Sequence, residues 1–219
     1  MEKQISKLIE ELNKNINFLS LEQDSVFKLC EESVRICNRA LEQCKNFLDK
    51  KDFKTKQDEI KFFKEFKPKI ASKLKFYHMV FKLENSKPLS EKAKKVFYEK
   101  ELALIDIYLK SNIEFVIYYK TGGEYMDSNY FIRNSSEPNM LADESYFLSD
   151  KKFSTTHDDR VSQLLAFESL AIHIRNEINN LEKHEGMEPM KSYHKTLVWT
   201  DSKVALIELI YALHTTGCF

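Results

Sequence analysis

The sequence predicts a mainly α-helical fold with small β-hairpins. Glycine and proline number only four each among 219 residues, too few for the many tight turns of a β-sandwich or barrel. Apolar residues also recur at helical spacing in several long segments. Hydrophobic residues make up 42% and charged residues 31% of the chain, a composition that favours a folded protein with a sizeable core over a disordered one.

Two N-terminal helices are predicted to pack as an antiparallel hairpin. The first spans residues 2–19 and places its isoleucine and leucine residues on one face. The second begins at Ser20, where Ser20 and Gln23 resemble a capping box, and runs to about Asp49. The short connection between the helices favours a hairpin within the chain over pairing with a partner's helix.

Three cysteines recur at intervals of seven residues along the second helix. Cys30, Cys37 and Cys44 lie on one helical stripe, and seven residues of helix separate successive sulfur atoms by about 10 Å. Sulfur atoms this far apart cannot share one zinc ion. The spacing therefore favours small buried apolar residues over a metal site, and the isolated Cys218 gives no disulfide framework.

The segment from Lys61 to Asn85 interleaves aromatic residues with lysines, and the rest of the chain is expected to be organised around it. Pro68 predicts a short helix before it and a longer one after it. At 100° per residue the longer helix has two apolar faces and one narrow polar strip. This strip consists of Lys75, His78, Lys82 and Asn85.

Charge is distributed unevenly along a chain whose formal net charge is zero. Residues 50–95 contain 15 lysines, no arginine and six acidic residues, hence a net charge of +9. Residues 121–188 contain 13 acidic and six basic residues. Such separation is expected where one face binds a polyanion and the remainder keeps the protein soluble; a lysine-rich solvated surface is the alternative.

The next part of the chain predicts two helices joined by a tight turn. The first, capped by Ser90, runs from Glu91 to about Lys110 and is apolar nearly all round in its second half, so it is expected to enter the core. A second capping box at residues 111–114 begins a short helix, which ends before the glycine pair 122–123. Residues 124–133 then form either a small hairpin or a capped helical turn, and the hairpin is favoured.

Helix, tight turn, helix and compact hairpin is the order of a winged helix-turn-helix. In that module the second helix enters a major groove and the hairpin contacts neighbouring phosphates. Ser111, Asn112 and Lys120 would lie at the ends of the reading helix, with Arg133 on the wing. Two short helices of any bundle would give a similar pattern.

The C-terminal part is predicted to contain a long helix, a short strand and a final helix. Thr155 and Thr156 precede the long helix, which runs to about His184. The strand spans Thr196–Trp199. The last helix is expected to direct four side chains inward: Leu206, Leu209, Ile210 and Leu213.

These elements divide the chain into three predicted parts. They are a helical domain with a lysine-rich surface (1–88), a winged-helix-like module (89–150), and a C-terminal part that could form a second such module (151–219).

No catalytic, metal or cofactor site emerges from the motifs. The glycines fit neither nucleotide-binding fingerprint, and a capped helix start explains His157-Asp158 better than a metal phosphohydrolase dipeptide does. We therefore expect no enzymatic activity and no cofactor. The acid-bearing amphipathic start and the lack of a long apolar run predict a cytoplasmic protein without membrane contact.

Three passages resemble the RteC family of tetracycline-inducible conjugative transposons of Bacteroides. They are KFFKEFKPKIASKLKFYHMVFKLE (61–84), YYKTGGEYMDSNYFIR (118–133) and LVWTDSKVALIELIYALHTTGCF (197–219). The resemblance implies winged-helix modules in a DNA-binding regulator that activates the excision genes of the element by binding a repeated site near their promoter. Relatives continue past the equivalent of residues 215–217, so a second module would be completed from upstream elements or be curtailed.

Two functional hypotheses follow. In the first, the chain is a transcription activator whose partners are double-stranded DNA at a promoter-proximal repeat and, as a further candidate, RNA polymerase. Its predicted DNA-binding residues are Lys75, Lys82, Lys92, Lys94, Lys95, Ser111, Asn112, Lys120, Arg133, Thr156, Ser202 and Lys203. In the second, a non-enzymatic helical adaptor binds a protein through the cysteine-bearing seam or the acidic half, and the lysines only solvate the surface.

Overall fold

The computed structural model of the protein describes residues 1–134, 149–185 and 202–215. Its helices are α1 (Glu2–Glu22), α2 (Val26–Lys50), α3 (Lys56–Lys61), α4 (Lys67–Ser86), α5 (Glu91–Ser111), α6 (Ile113–Lys120), α7 (Asp127–Tyr130), α8 (Asp158–Glu185) and α9 (Lys203–Thr215). A π-helical turn, Phe62–Phe66, joins α3 to α4. The described residues contain no β-strand.

The prediction of small β-hairpins and of winged helix-turn-helix elements is therefore wrong. The backbone N–H groups of Tyr130 and Phe131 donate to carbonyls four residues back, at 2.9 Å each. The predicted wing is consequently a helical turn, α7, and not a strand pair. Asn112 alone separates α5 from α6, whereas a helix-turn-helix needs a turn of about three to four residues. The predicted strand Thr196–Trp199 lies outside the described residues.

Five long helices pack side by side in the order α1, α2, α4, α8 and α5. Antiparallel α2 and α4 bring Cys30 near Glu84 and Cys44 near Lys67. The α9 helix packs lightly against α1. Because α4 lies between α2 and α8, the expectation that the chain is organised around the Lys61–Asn85 segment is confirmed.

The α8 helix runs parallel to α4 and antiparallel to α5. Lys67 at the start of α4 pairs with the start of α8, and Phe76 further along α4 packs on His173 of α8. By contrast, Lys95 near the start of α5 pairs with Glu182 near the end of α8. The α8 helix thus lies between α4 and α5.

The two apolar faces predicted for α4 are buried by its neighbours. Ile70, Val80 and Leu83 are 0%, 3% and 4% exposed. The polar strip remains at the surface, with His78, Lys82 and Asn85 exposed. Burial on two sides with one solvated strip is the arrangement expected of a central helix in a single layer of helices.

Pro68 explains the π-helical turn before α4. A proline lacks the backbone N–H, and its ring clashes with the carbonyl four residues earlier, which is that of Lys64. The turn accommodates this by widening: the N–H of Lys67 donates to the carbonyl of Phe62, five residues back. The widened turn also directs three aromatic rings into the core, namely Phe62, Phe63 and Phe66.

Several predicted helix ends differ from the structure. Ser20 lies inside α1 and its hydroxyl donates to the carbonyl of Asn17 at 2.8 Å, so the predicted capping box there is wrong. No side-chain cap bond forms at Asn112 either. The cap at Ser90 is confirmed, since its hydroxyl accepts from the N–H of Ala93.

Two helices leave more apolar surface in solvent than their sequences predict. The second half of α5 enters the core on one side only: Ile105 is 4% exposed, whereas Leu104 and Ile107 are 58% and 60% exposed. On α9, Leu209 and Ile210 are exposed instead of facing inward. None of the described helices has both the length and the apolar character needed to cross a membrane.

Candidate nucleic-acid interface

The structure does not bring the predicted DNA-binding residues into one site. Lys82, Lys92, Lys94 and Lys95 lie where the end of α4 meets the start of α5. Ser111, Asn112 and Lys120 lie at or just beyond the far end of α5, and Lys75 lies near the start of α8. Arg133 lies near the α2–α3 connection, where it pairs with Asp52 and Glu59, and Thr156 lies against Asn129 of α7. Ser202 and Lys203 lie at the start of α9. The 21-residue α5 helix, about 31 Å long at 1.5 Å per residue, separates the first two groups.

The α4–α5 end carries cations that no described carboxylate neutralises. Lys82 and Lys92 are exposed and Lys94 is half-buried, and the described part of the chain gives none of them an ion pair. Lys95 differs, because its Nζ lies 2.7 Å from a Glu182 carboxylate oxygen. Beside them, Lys92 and Lys100 line an open groove of about 570 Å³. This end is therefore the basic surface best suited to phosphates.

Other lysines of the basic segment are neutralised by the acidic half of the chain. Lys64 pairs with Asp127 at 2.7 Å, and Lys75 pairs with Asp159 at 3.0 Å. The predicted single positive face is thus only partly present, because acidic residues from α7 and α8 lie against the middle of the segment.

Lys67 forms the most enclosed of these pairs. Its Nζ bonds to the carboxylate of Asp158, whose side chain is only 2% exposed, and donates to the carbonyl of Phe153 at 2.5 Å. The other carboxylate oxygen of Asp158 accepts from the backbone N–H and the hydroxyl of Thr155, at 2.8 and 3.1 Å. This network fixes the start of α8 against α4, so Lys67 is a structural cation.

The predicted reading helix, α6, is mostly committed to the core. Phe115, Val116 and Tyr118 are buried, and the exposed side carries Ile113 and Ile117. Apolar side chains on that side contribute no attraction for phosphates. Lys120 is the one predicted contact at the end of α6, and it lies 2.8 Å from a carboxylate oxygen of Glu168.

Ser111 and Asn112 hold the junction between α5 and α6. The hydroxyl of Ser111 donates to the carbonyl of Ile107 at 2.8 Å. The side-chain amide of Asn112 donates to the carbonyl of Tyr108 at 2.9 Å. Both groups satisfy backbone acceptors at the end of α5, and their predicted role in reading bases stays a prediction.

Arg133 is anchored by two carboxylates. Its guanidinium lies 2.7 Å from Glu59 and 2.6 Å from Asp52, and it stacks over the ring of Phe53, with 5.0 Å to the centroid. The hydrogen bond from Arg133 lowers the pKa of Asp52. Thr156 likewise contacts the protein itself, its hydroxyl lying 3.2 Å from the carbonyl of Asn129.

A second basic area, around the connection between α2 and α3, was not among the predicted site residues. Four exposed lysines lie there: Lys50, Lys51, Lys54 and Lys56. Lys51 and Lys54 line a cleft of about 250 Å³ together with Phe53. Glu2, Asp52 and Asp58 also line this cleft, so its charge is mixed. The density of lysine after residue 49 was the signal that pointed here.

The cysteine stripe packs in the core as predicted. Cys30, Cys37 and Cys44 are at most 1% exposed, and burial raises their thiol pKa values to about 11, about 11 and about 12. No three His, Cys, Asp or Glu side chains in the described residues are placed to hold a metal ion. Cys218 lies outside those residues.

Comparison with known proteins identifies the family. The family model described as RteC protein matches residues 61–219, which include the central helix α4, the lysines at the α4–α5 end and α8. No curated protein and no solved structure matches the chain. RteC is a regulatory family, and membership fits a regulatory role in the excision of conjugative transposons. The chain, matched over more than two thirds of its 219 residues, belongs to the RteC family.

Proposed function

We propose that this protein is a DNA-binding transcriptional regulator that activates the excision genes of a mobile element by binding a repeated site near their promoter. The match to the RteC family over residues 61–219 carries the proposal. Lys82, Lys92 and Lys94 at the α4–α5 end support it, because they have no ion pair within the described residues and such cations can displace counterions from a duplex.

The proposed contacts divide between the two groups of residues. Lys82, Lys92 and Lys94 bind phosphates and supply affinity for any sequence. Asn112, at the far end of α5, contacts a base edge, a role for which its amide offers both a donor and an acceptor. Arg133 and Lys120 are paired with carboxylates of the protein itself. They position the protein backbone and do not contribute to DNA affinity.

The affinity of the protein for DNA should depend strongly on salt concentration. We expect the logarithm of affinity to fall with the logarithm of salt concentration by about 0.9 per neutralised phosphate, measured by fluorescence anisotropy on DNA flanking the gene. Lys82→Ala should weaken binding to promoter and random DNA alike and reduce this slope by about one. The control is Lys14→Ala, since Lys14 is an exposed lysine on α1 without an ion pair in the described structure.

Asn112→Ala should leave the salt slope unchanged and reduce the preference for promoter over random DNA. A nearly salt-independent affinity, or equal loss from Lys14→Ala and Lys82→Ala, would contradict the phosphate assignment. A loss of discrimination from Lys82→Ala, with Asn112→Ala silent, would reverse the two roles.

A helical adaptor is the second candidate, and the exposure of α9 favours it. Five large apolar side chains of α9 are between 41% and 71% exposed: Val204, Ile207, Leu209, Ile210 and Tyr211. Large apolar patches mark protein contacts more often than nucleic-acid contacts. Retention on both heparin and DNA columns supports the regulator. A stable complex with another protein, without retention on either column, supports the adaptor.

A further inference from the structure

The outer face of α5 lies at the edge of the helix layer, and no described element of the chain packs on it. Tyr98 and Ile105 lie on the buried side of this helix. Seven exposed residues lie on the opposite side, within an arc of about 120° at 100° per residue. This set, here named the α5 face, consists of Val96, Glu99, Lys100, Ala103, Asp106, Ile107 and Lys110.

The apolar side chains of the α5 face are more exposed than expected for a helix face that contacts only solvent. Val96 is 52% and Ile107 is 60% exposed, and Leu104, 58% exposed, borders the face. Single exposed apolar residues are ordinary, but a run along one helix indicates a surface that contacts another molecule. Ala103, at the centre of the run, allows a second helix to approach closely.

The charged members of the α5 face are complementary to the same face turned by 180°. When two copies of α5 are set antiparallel about Ala103, Lys100 of each copy lies opposite Asp106 of the other. Glu99 lies within one turn of Lys110 in the same arrangement. A parallel arrangement in register would instead place each charge opposite itself. In the described structure none of these four charged side chains has an intrachain ion pair.

We propose that a second copy of this chain docks on the α5 face, through an antiparallel, two-fold symmetric pairing of the two α5 helices. The same patch serves both copies, as a two-fold interface requires. With α5 about 31 Å long, the interface is smaller than that of an obligate dimer, so the dimer forms in a concentration-dependent manner. This inference does not rest on DNA binding.

Sedimentation of the full chain without DNA tests the proposal. We expect a monomer–dimer equilibrium for the native protein. Ile107→Glu should place a carboxylate opposite Glu99 of the other copy, where an apolar contact is lost and two like charges meet, and shift the protein to monomer at all concentrations reached. The matched control is Ile172→Glu on α8, because Ile172 is 59% exposed and lies away from the α5 face.

A charge reversal tests the arrangement itself. Lys100→Glu should weaken the dimer about tenfold or more, because two like-charge contacts replace two opposite-charge contacts. The double variant Lys100→Glu with Asp106→Lys restores both contacts and should recover the native affinity. A native protein that stays monomeric, a double variant as weak as the single one, or equal loss from Ile172→Glu would each overturn the proposal.

Discussion

Lys67 shows how a residue's role depends on partners that are remote in sequence. Lys64 and Lys69 lie within three residues of it along the chain, and the charge of its side chain does not distinguish it from them. In the structure it is a buried cation bonded to Asp158, 91 residues away. The sequence therefore predicted the sign of the charge on this segment correctly. It could not show which lysines the acidic half would neutralise.

Removing one member of this buried pair should destabilise the fold strongly. Asp158→Ala leaves the buried ammonium of Lys67 without its counter-ion and the N–H of Thr155 without its acceptor, which we expect to cost about 3–5 kcal/mol. Urea denaturation followed by circular dichroism measures the loss. The control is Asp150→Ala, which breaks the exposed pair with Lys45 and should cost far less, because water already solvates both charges. Equal effects would mean that Lys67–Asp158 is no more than a surface pair.

At the scale of elements, periodicity predicted the long helices and failed at the short ones. The apolar faces predicted for α1, α2 and α4 are confirmed because each contains several turns of repeated apolar spacing. The segment 124–133 has one turn of structure, too little to separate a helical period from a strand period. The sequence therefore favoured a hairpin over a helical turn only slightly. In the structure the segment forms the helical turn α7, whose Tyr130 packs against Phe115 and Tyr118.

The glycine pair after α6 was predicted as a helix end, and its geometry shows why both glycines are needed. Gly122 adopts φ +69°, and the N–H of Gly123 donates to the carbonyl of Tyr118 at 2.8 Å, as in a Schellman motif. A Cβ on Gly123 would lie 2.6 Å from Cδ2 of Tyr118. The close approach lets the Gly123 carbonyl accept from Lys64 at 2.7 Å.

Gly123→Ala should therefore destabilise the protein by about 1–3 kcal/mol, as overpacking does. Gly122→Ala meets no atom within 4 Å and should cost only the left-handed backbone penalty, about 1–2 kcal/mol. Thermal denaturation of both variants checks the prediction. If Gly123→Ala is neutral, Tyr118 moves aside freely and the close approach has no energetic weight.

At the scale of the whole molecule, the reactivity of the three cysteine thiols indicates whether α2 and α4 stay packed together. Cys30, Cys37 and Cys44 face α4 from α2 and are almost completely buried. Burial raises the thiol pKa values to about 11 or 12, so the reactive thiolate is scarce at pH 8. The spacing of seven residues predicted this role, and the packing confirms it.

We expect these thiols to react only when the whole layer opens. In a Cys218→Ser background, Ellman's reagent at pH 8 should modify none of the three thiols rapidly in the native protein, and all three in urea. Because folding raises the thiol pKa values, the free energy of unfolding also depends on pH. The stabilisation from burying the neutral thiols is fully present below the ordinary thiol pKa of about 8.5 and is lost as the pH rises towards 11. Rapid reaction of one thiol in the native state would indicate local opening of α2.

Charge distribution is the whole-molecule property that the sequence predicted least well. Sorting along the chain was clear, but the α7 and α8 acids fold back onto Lys64, Lys67 and Lys75. Within the described residues, what remains is one group of lysines without ion pairs at the α4–α5 end and another near the α2–α3 connection. Linear charge counting cannot separate paired from unpaired lysines, because pairing is set by tertiary contacts.

The position of α4 between α2 and α8 also determines the order in which the protein can be completed during synthesis. One side of α4 meets α2, which has already left the ribosome. Its other side waits for α8, which begins roughly seventy residues later, a delay of about 4–14 s at 5–20 residues per second. During that interval the apolar face of α4 that will contact α8 is exposed on the nascent chain. A chaperone would then have the largest apolar surface to bind.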